Sequence, residues 1–165
     1  MAHQFTVQAQ IDGISLSDFK RIAKDTKMHE VVCHHLPAQN MEILVSEVDG
    51  DIFTMKRAYN LDVNIPDIAK KMLKDAFRLK RTDISNLEKL TSTVELGANL
   101  PIQANCQRHV TGNDEHVAFH LEWMVKVKVP LIGGMLEKHA EGEIRKFSQI
   151  EIEIIEDELR KALVA

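Results

Sequence analysis

The stretch from His116 to the C-terminus most constrains what this chain can fold into. Val117, Phe119, Leu121, Trp123, Val125, Val127 and Val129 are all apolar, whereas the intervening Ala118, His120, Glu122, Met124, Lys126 and Lys128 are mostly polar. That period of two belongs to a long, half-buried strand. A Pro130-Leu131-Ile132-Gly133-Gly134 break follows, and the residues from about Gly134 to Leu163 then read as one amphipathic helix. At a rise of about 1.5 Å per residue such a helix is roughly 40 Å long, enough to cross a small sheet. Leu136, Ala140, Ile144, Phe147, Ile150 and Ile154 form its apolar stripe, roughly 120° wide. The run Ile150-Glu151-Ile152-Glu153-Ile154 alternates like a strand, but its flanks rich in Glu, Leu, Lys and Arg decide for helix. A strand that long leading into a helix that long implies a curved sheet gripping a terminal helix. Such a shape tends to enclose a cavity.

Upstream, Phe5, Val7, Ala9 and Ile11 alternate with Gln4, Thr6, Gln8 and Gln10, a strand with one wet face. Asp12-Gly13 ends it, and Ser15 or Ser17 can cap a short helix carrying Leu16, Phe19, Ile22 and Ala23. A second helix is predicted from about Lys27 to Leu36, stopped by Pro37. Strands resume at Ile43-Leu44-Val45, turn at Asp49-Gly50-Asp51, and return with Phe53, Met55, Arg57, Tyr59, Leu61 and Val63 in register. Pro66 opens a short helix expected to carry Ile68, Ala69, Met72, Leu73 and Ala76. About three weaker strands fit between Leu79 and Val110, broken near Asn99-Leu100-Pro101, and Thr111-Gly112-Asn113-Asp114 turns into the last strand. Strand, two helices, antiparallel strands and one long helix is an α+β order.

At 165 residues, one domain over 1–165 is expected, with enough chain to bury a core. The net charge of −4 argues against a general nucleic-acid binder. Lys70, Lys71, Lys74, Arg78, Lys80 and Arg81 form a local basic cluster, read either as a solvated face or as a contact for an anionic partner or headgroup. No basic segment followed by an apolar run opens the chain, so no signal peptide is expected. No apolar stretch reaches the roughly 20 residues that span a bilayer, so no stable membrane insertion is expected. Two cysteines, Cys33 and Cys106, suit buried thiols in a reducing cytoplasm.

The passage Val125-Lys126-Val127-Lys128-Val129-Pro130-Leu131-Ile132-Gly133-Gly134-Met135-Leu136-Glu137 resembles the strand-to-helix passage of the START-like, or SRPBCC, helix-grip superfamily. That group includes the pollen-allergen and polyketide-cyclase folds. The passage looks most like that of a bacterial branch known as a domain of unknown function. The resemblance covers essentially the whole element order. It implies about seven antiparallel strands wrapped around the terminal helix, with a hydrophobic cavity between them, and it carries over no catalytic residue. Independently of it, Gly133-Gly134 suits a sharp turn that needs positive φ or close approach. Paired amides before a helix would suit an anion instead.

Several residues stand out as candidates. Arg57 sits in register with Met55 and Tyr59, which aims it inward, where a guanidinium needs a carboxylate. Glu151 falls inside the apolar stripe of the terminal helix. An Arg57–Glu151 pair would anchor the polar end of a greasy ligand; a bulge or an open cavity end would place both in solvent. The expected ligand-binding lining is Phe53, Met55, Arg57, Tyr59, Phe119, Leu121, Trp123, Phe147, Ile150, Glu151 and Ile154, residue types that equally make solid core. His29, Cys33, His34 and His35 lack a second cluster of ligand spacing, so no metal or cofactor is expected. No G-x-S-x-G elbow or phosphate loop occurs, and acid–base chemistry would have to come from Tyr59, Glu151 and Arg57. The expectation is a protein that binds a hydrophobic or amphipathic, lipid-like or polyketide-like molecule. A cyclase or dehydratase is the first alternative, and an interaction module like the superfamily's co-chaperone relatives is the second.

Overall fold

The computed structural model describes residues 2–164. The first strand, β1 (His3–Asp12), leads through two short helices, α1 (Leu16–Ala23) and α2 (Thr26–His35), into β2 (Ala38–Asp49) and β3 (Ile52–Leu61). A single turn of helix, α3 (Asp67–Lys70), precedes β4 (Arg78–Asn86), β5 (Thr91–Ala98), β6 (Ile102–Gly112) and β7 (His116–Val127), and α4 (Gly133–Val164) closes the chain. The seven strands form one antiparallel sheet in the order β1-β7-β6-β5-β4-β3-β2. Successive strands from β2 to β7 are neighbours; short turns join all of these pairs but β3 and β4, between which the chain runs through α3, and Gly50, at φ +61°, supplies the left-handed residue of the first turn. β1 then pairs with β7, so that Phe5 faces Trp123 and Ile11 faces Val117. Register shifts in β2, between Gln39 and Glu42 and between Ile43 and Val45, bend that edge of the sheet. The helix-grip fold implied by the resemblance is the fold observed. No helix among the described residues is long and apolar enough to cross a membrane.

Local chemistry accounts for the element ends. Ser15 Oγ accepts the Asp18 amide at 3.1 Å and caps α1, and Asp25 caps α2 through the Lys27 amide. The helix expected after Pro66 is shorter than its apolar spacing predicts. Past Lys70 the Met72 and Leu73 amides bond three residues back, and the chain bends to bring Phe77 and Leu79 toward the interior. Tertiary packing overrides propensity there.

The passage from β7 to α4 is a clasp. The buried carboxylate of Glu137 accepts the Val127 amide at 2.9 Å, tying the strand end to the first turn of the helix. A Cβ on Gly133 would meet the Val127 carbonyl oxygen at 2.7 Å, so close backbone approach demands that glycine, whereas a Cβ on Gly134 meets nothing within 4 Å. The positive φ of the turn belongs to Leu131, at +70°, not to either glycine.

Helix α4 does two different jobs along its length. Its C-terminal half buries Ile152, Ile155 and Leu159 against Phe19, Ile22 and Val32 of the short helices and Val117 and Phe119 of β7. Its N-terminal half presents Leu136, Ala140, Ile144 and Phe147 toward an open space. The apolar stripe expected to run straight through Ile150 and Ile154 therefore swings aside after Phe147. Ile152 and Ile155 take the core positions, and Ile150 and Ile154 are only half-buried. The helix faces the sheet and the α3 region across a cavity at one end and sheet plus α1 and α2 at the other, and a straight stripe cannot serve both.

Candidate functional site

Where the N-terminal half of α4 stands off the sheet, it leaves a cavity of about 180 Å³. The sheet contributes Tyr59, Leu79, Leu96, Ala104 and Trp123, and α4 contributes Ala140, Ile144, Phe147 and Glu151. The α3 region closes one side with Ile65, Ala69, Met72 and Phe77. His139 on α4 bonds to the Asn64 carbonyl and fastens the helix to this side. The walls are almost wholly apolar; Arg81 and Glu151 mark the inner end, and Glu143 and His139 lie nearer the outer one.

Arg81 is the centre of that charged end. Its Nε and Nη2 donate to the two oxygens of Asp83 at 2.7 and 2.9 Å. Its Nη1 and Nη2 donate to the two oxygens of Glu151 at 2.7 and 3.2 Å. One guanidinium thus holds two carboxylates by paired bonds, the geometry that suits arginine and not lysine. Arg57 lies beside it, as the pairing of β3 with β4 places Arg57 directly opposite Arg81. Arg57 is 5% exposed, and its Nη2 is 3.7 Å from Asp83. Its Nη1 bonds the Cys33 thiol and reaches Met55 Sδ at 3.5 Å.

This network fixes charge states. Burial alone would raise the Asp83 carboxyl, but Arg81 and Arg57 outweigh it and hold the group well below the usual carboxylate range. Glu151 is lowered in the same way, with burial opposed chiefly by Arg81. Burial pushes the Tyr59 phenol up and the Cys33 thiol up, and it lifts Cys106 to about 12. Burial lowers His29, whose ring bonds the Ala23 carbonyl at 2.8 Å. Every group whose titration the interior shifts is driven away from neutral pH. An acid–base catalyst needs the opposite.

A pH dependence follows. Asp83 and Glu151 titrate lower folded than unfolded, so the stability they contribute is complete above about pH 5 and is lost as pH falls below about 4. Melting temperature across that range is expected to drop more gently in Glu151→Gln than in wild type. Identical acid limbs would mean that Glu151 is not held down by Arg81.

The structure brings together Tyr59, Trp123, Phe147 and Glu151 of the residues singled out from sequence, all at the cavity. Phe53 and Met55 lie apart, in a small cluster with Cys33 and Leu87. Phe119 and Leu121 face a second, smaller space deeper under α4, and Ile154 packs on the main core. Arg57 does point inward, but the expected Arg57–Glu151 pair gives way to Arg81–Glu151, because Arg81 stands between them. Nothing local marks Arg81 and Asp83 as site residues, because Arg81 sits within the basic run from Lys70. The available signal was the β4 alternation, which puts Leu79, Arg81, Asp83 and Ser85 on one face.

The family model described as a protein of unknown function (DUF2505) matches residues 6–159. No curated protein shows significant similarity to the chain. Among solved structures, TTHA0849 from Thermus thermophilus is similar at TM-score 0.65 and 12% identity, covering 97% of this chain and 99% of that one. The Zhui aromatase/cyclase from Streptomyces sp. R1128 is similar at TM-score 0.64 and 9% identity, over 98% and 96% of the two chains. A START superfamily protein from Mycobacterium smegmatis is similar at TM-score 0.59 and 13% identity, over 97% and 99%. At such identities the likeness is one of fold. The chain belongs to the family described as protein of unknown function (DUF2505), and it has the START-like helix-grip fold.

Proposed function

We propose that this chain, acting as one domain over residues 1–165, binds a hydrophobic or amphipathic small molecule between sheet and α4 without transforming it. The observation that carries the reading is the cavity itself: about 180 Å³ and apolar on nearly every wall. Fixed charge states at its inner end weigh against the aromatase or cyclase kind of chemistry named for one structural neighbour. Two buried free thiols suit a reducing compartment, and the proposal places the protein in the cytoplasm.

Trp123 makes the test direct, since it is the single tryptophan of the chain and it lines the cavity. Titration with the neutral apolar dye phenylnaphthylamine is expected to quench Trp123 emission saturably, with one dye per chain. A linear, non-saturating response would count against a container.

A further inference from the structure

Beneath the main cavity lies a second space of about 20 Å³, and Arg81, Trp123, Ser148 and Glu151 belong to the walls of both. Arg108 on β6 also lines this recess, on the same inward face as Cys106 and Val110. Pairing of β6 with β7 sets Cys106 opposite Trp123 and Arg108 opposite Leu121, so Arg108 and Trp123 are diagonal neighbours on one face.

Two features of this recess would suit an acceptor. Arg57, Arg81 and Arg108 bring three positive charges to the inner face, and Asp83 and Glu151 bring two negative ones, already engaged by Arg81 and Arg57. Arg108 makes no ion pair among the described residues; its one hydrogen bond runs from Nη2 to Ser92 Oγ at 3.3 Å. The second feature concerns unmet donors. Arg108 Nε and Trp123 Nε1 are both buried without a partner. Arg108 as a whole is half-buried, but its Nε is fully covered, and a covered donor left unmet is costly. An anionic oxygen in the recess would supply the missing counter-charge and bring an acceptor to the wall that Arg108 and Trp123 share.

We propose that the ligand is an amphipathic monocarboxylate, with its apolar body in the main cavity and its carboxylate in the recess against Arg108 and Trp123 Nε1. The proposal rests on the container reading and adds the head group and its direction. At about 20 Å³ the recess takes a single oxygen, so one carboxylate oxygen enters it while the other stays at its mouth, a fit that favours a planar carboxylate over a bulkier phosphate.

The test is displacement of bound phenylnaphthylamine by decanoate, decanol and decylamine at pH 7. Decanoate is expected to displace the dye at about tenfold lower concentration than decanol or less, the smallest gain a charge-assisted hydrogen bond should give, and decylamine is expected to be weakest. Arg108→Met should abolish the advantage of decanoate, leave decanol unchanged, and melt no lower than wild type without ligand, because it removes an uncompensated charge. Arg108→Gln, which can still bond Ser92, should give the same answer if the methionine variant does not fold. Equal displacement by decanoate and decanol would overturn the head-group assignment and leave the container intact, as would a decanoate preference that survives both substitutions. Lost preference together with a lower melting temperature in both variants would make Arg108 a structural residue and overturn the assignment too. Dye that does not bind at all would overturn the container and the head group together.

Discussion

Replacing Arg81 with leucine is expected to destabilise the protein by about 3–5 kcal/mol, the usual consequence of breaking a buried ion network from one side. Arg81 has a side chain only 11% exposed and bonds both Asp83 and Glu151. Without it two carboxylates stay buried, and only Arg57, 3.7 Å from Asp83, offers partial compensation. For a domain of this size the loss corresponds to a melting temperature lower by roughly 6–20 °C. Urea unfolding followed by circular dichroism would measure it. A loss below about 1 kcal/mol, the range of exposed pairs, would mean that Arg81 lies in solvent as part of the basic run beginning at Lys70.

The second large effect is on binding. Ala140 sits on the cavity side of α4, half-buried, among Leu136, Ile144 and Phe147. Ala140→Phe places a ring in the space a ligand would take. Dye affinity at Trp123 is expected to fall about a hundredfold or more, a steric loss of roughly 3 kcal/mol. Stability should change little, because the ring fills a void and the helix tolerates phenylalanine at a penalty of about 0.5 kcal/mol. Unchanged affinity in a folded Ala140→Phe variant would move the dye, and the proposed ligand, out of this cavity.

Much of the architecture is legible in the chain because its signals are local. The alternation from Val117 to Val127, the Gly50 turn, the Ser15 cap and the Pro130–Gly134 break each act within a few residues. The cavity end is harder to read, since its geometry depends on partners distant in sequence. Glu151 is conspicuous on an apolar stripe, but its partner Arg81 is 70 residues away on β4 and hides in a basic run. The swing of the buried stripe from Phe147 to Ile152 and Ile155 is set by α1 and α2, whose packing on α4 no helical periodicity encodes. Arg108 reads as an ordinary charge on a weak strand. Only the pairing of β6 with β7 places it beside Trp123.

Mass spectrometry of protein purified gently from its native host, first under native and then under denaturing conditions, tests the container most directly. A discrete extra mass that stays with the folded chain and leaves on denaturation is the expected result, and it would also identify the ligand's class. A bare chain mass under native conditions, with no uptake from a panel of lipids, fatty acids and polyketides, would contradict it.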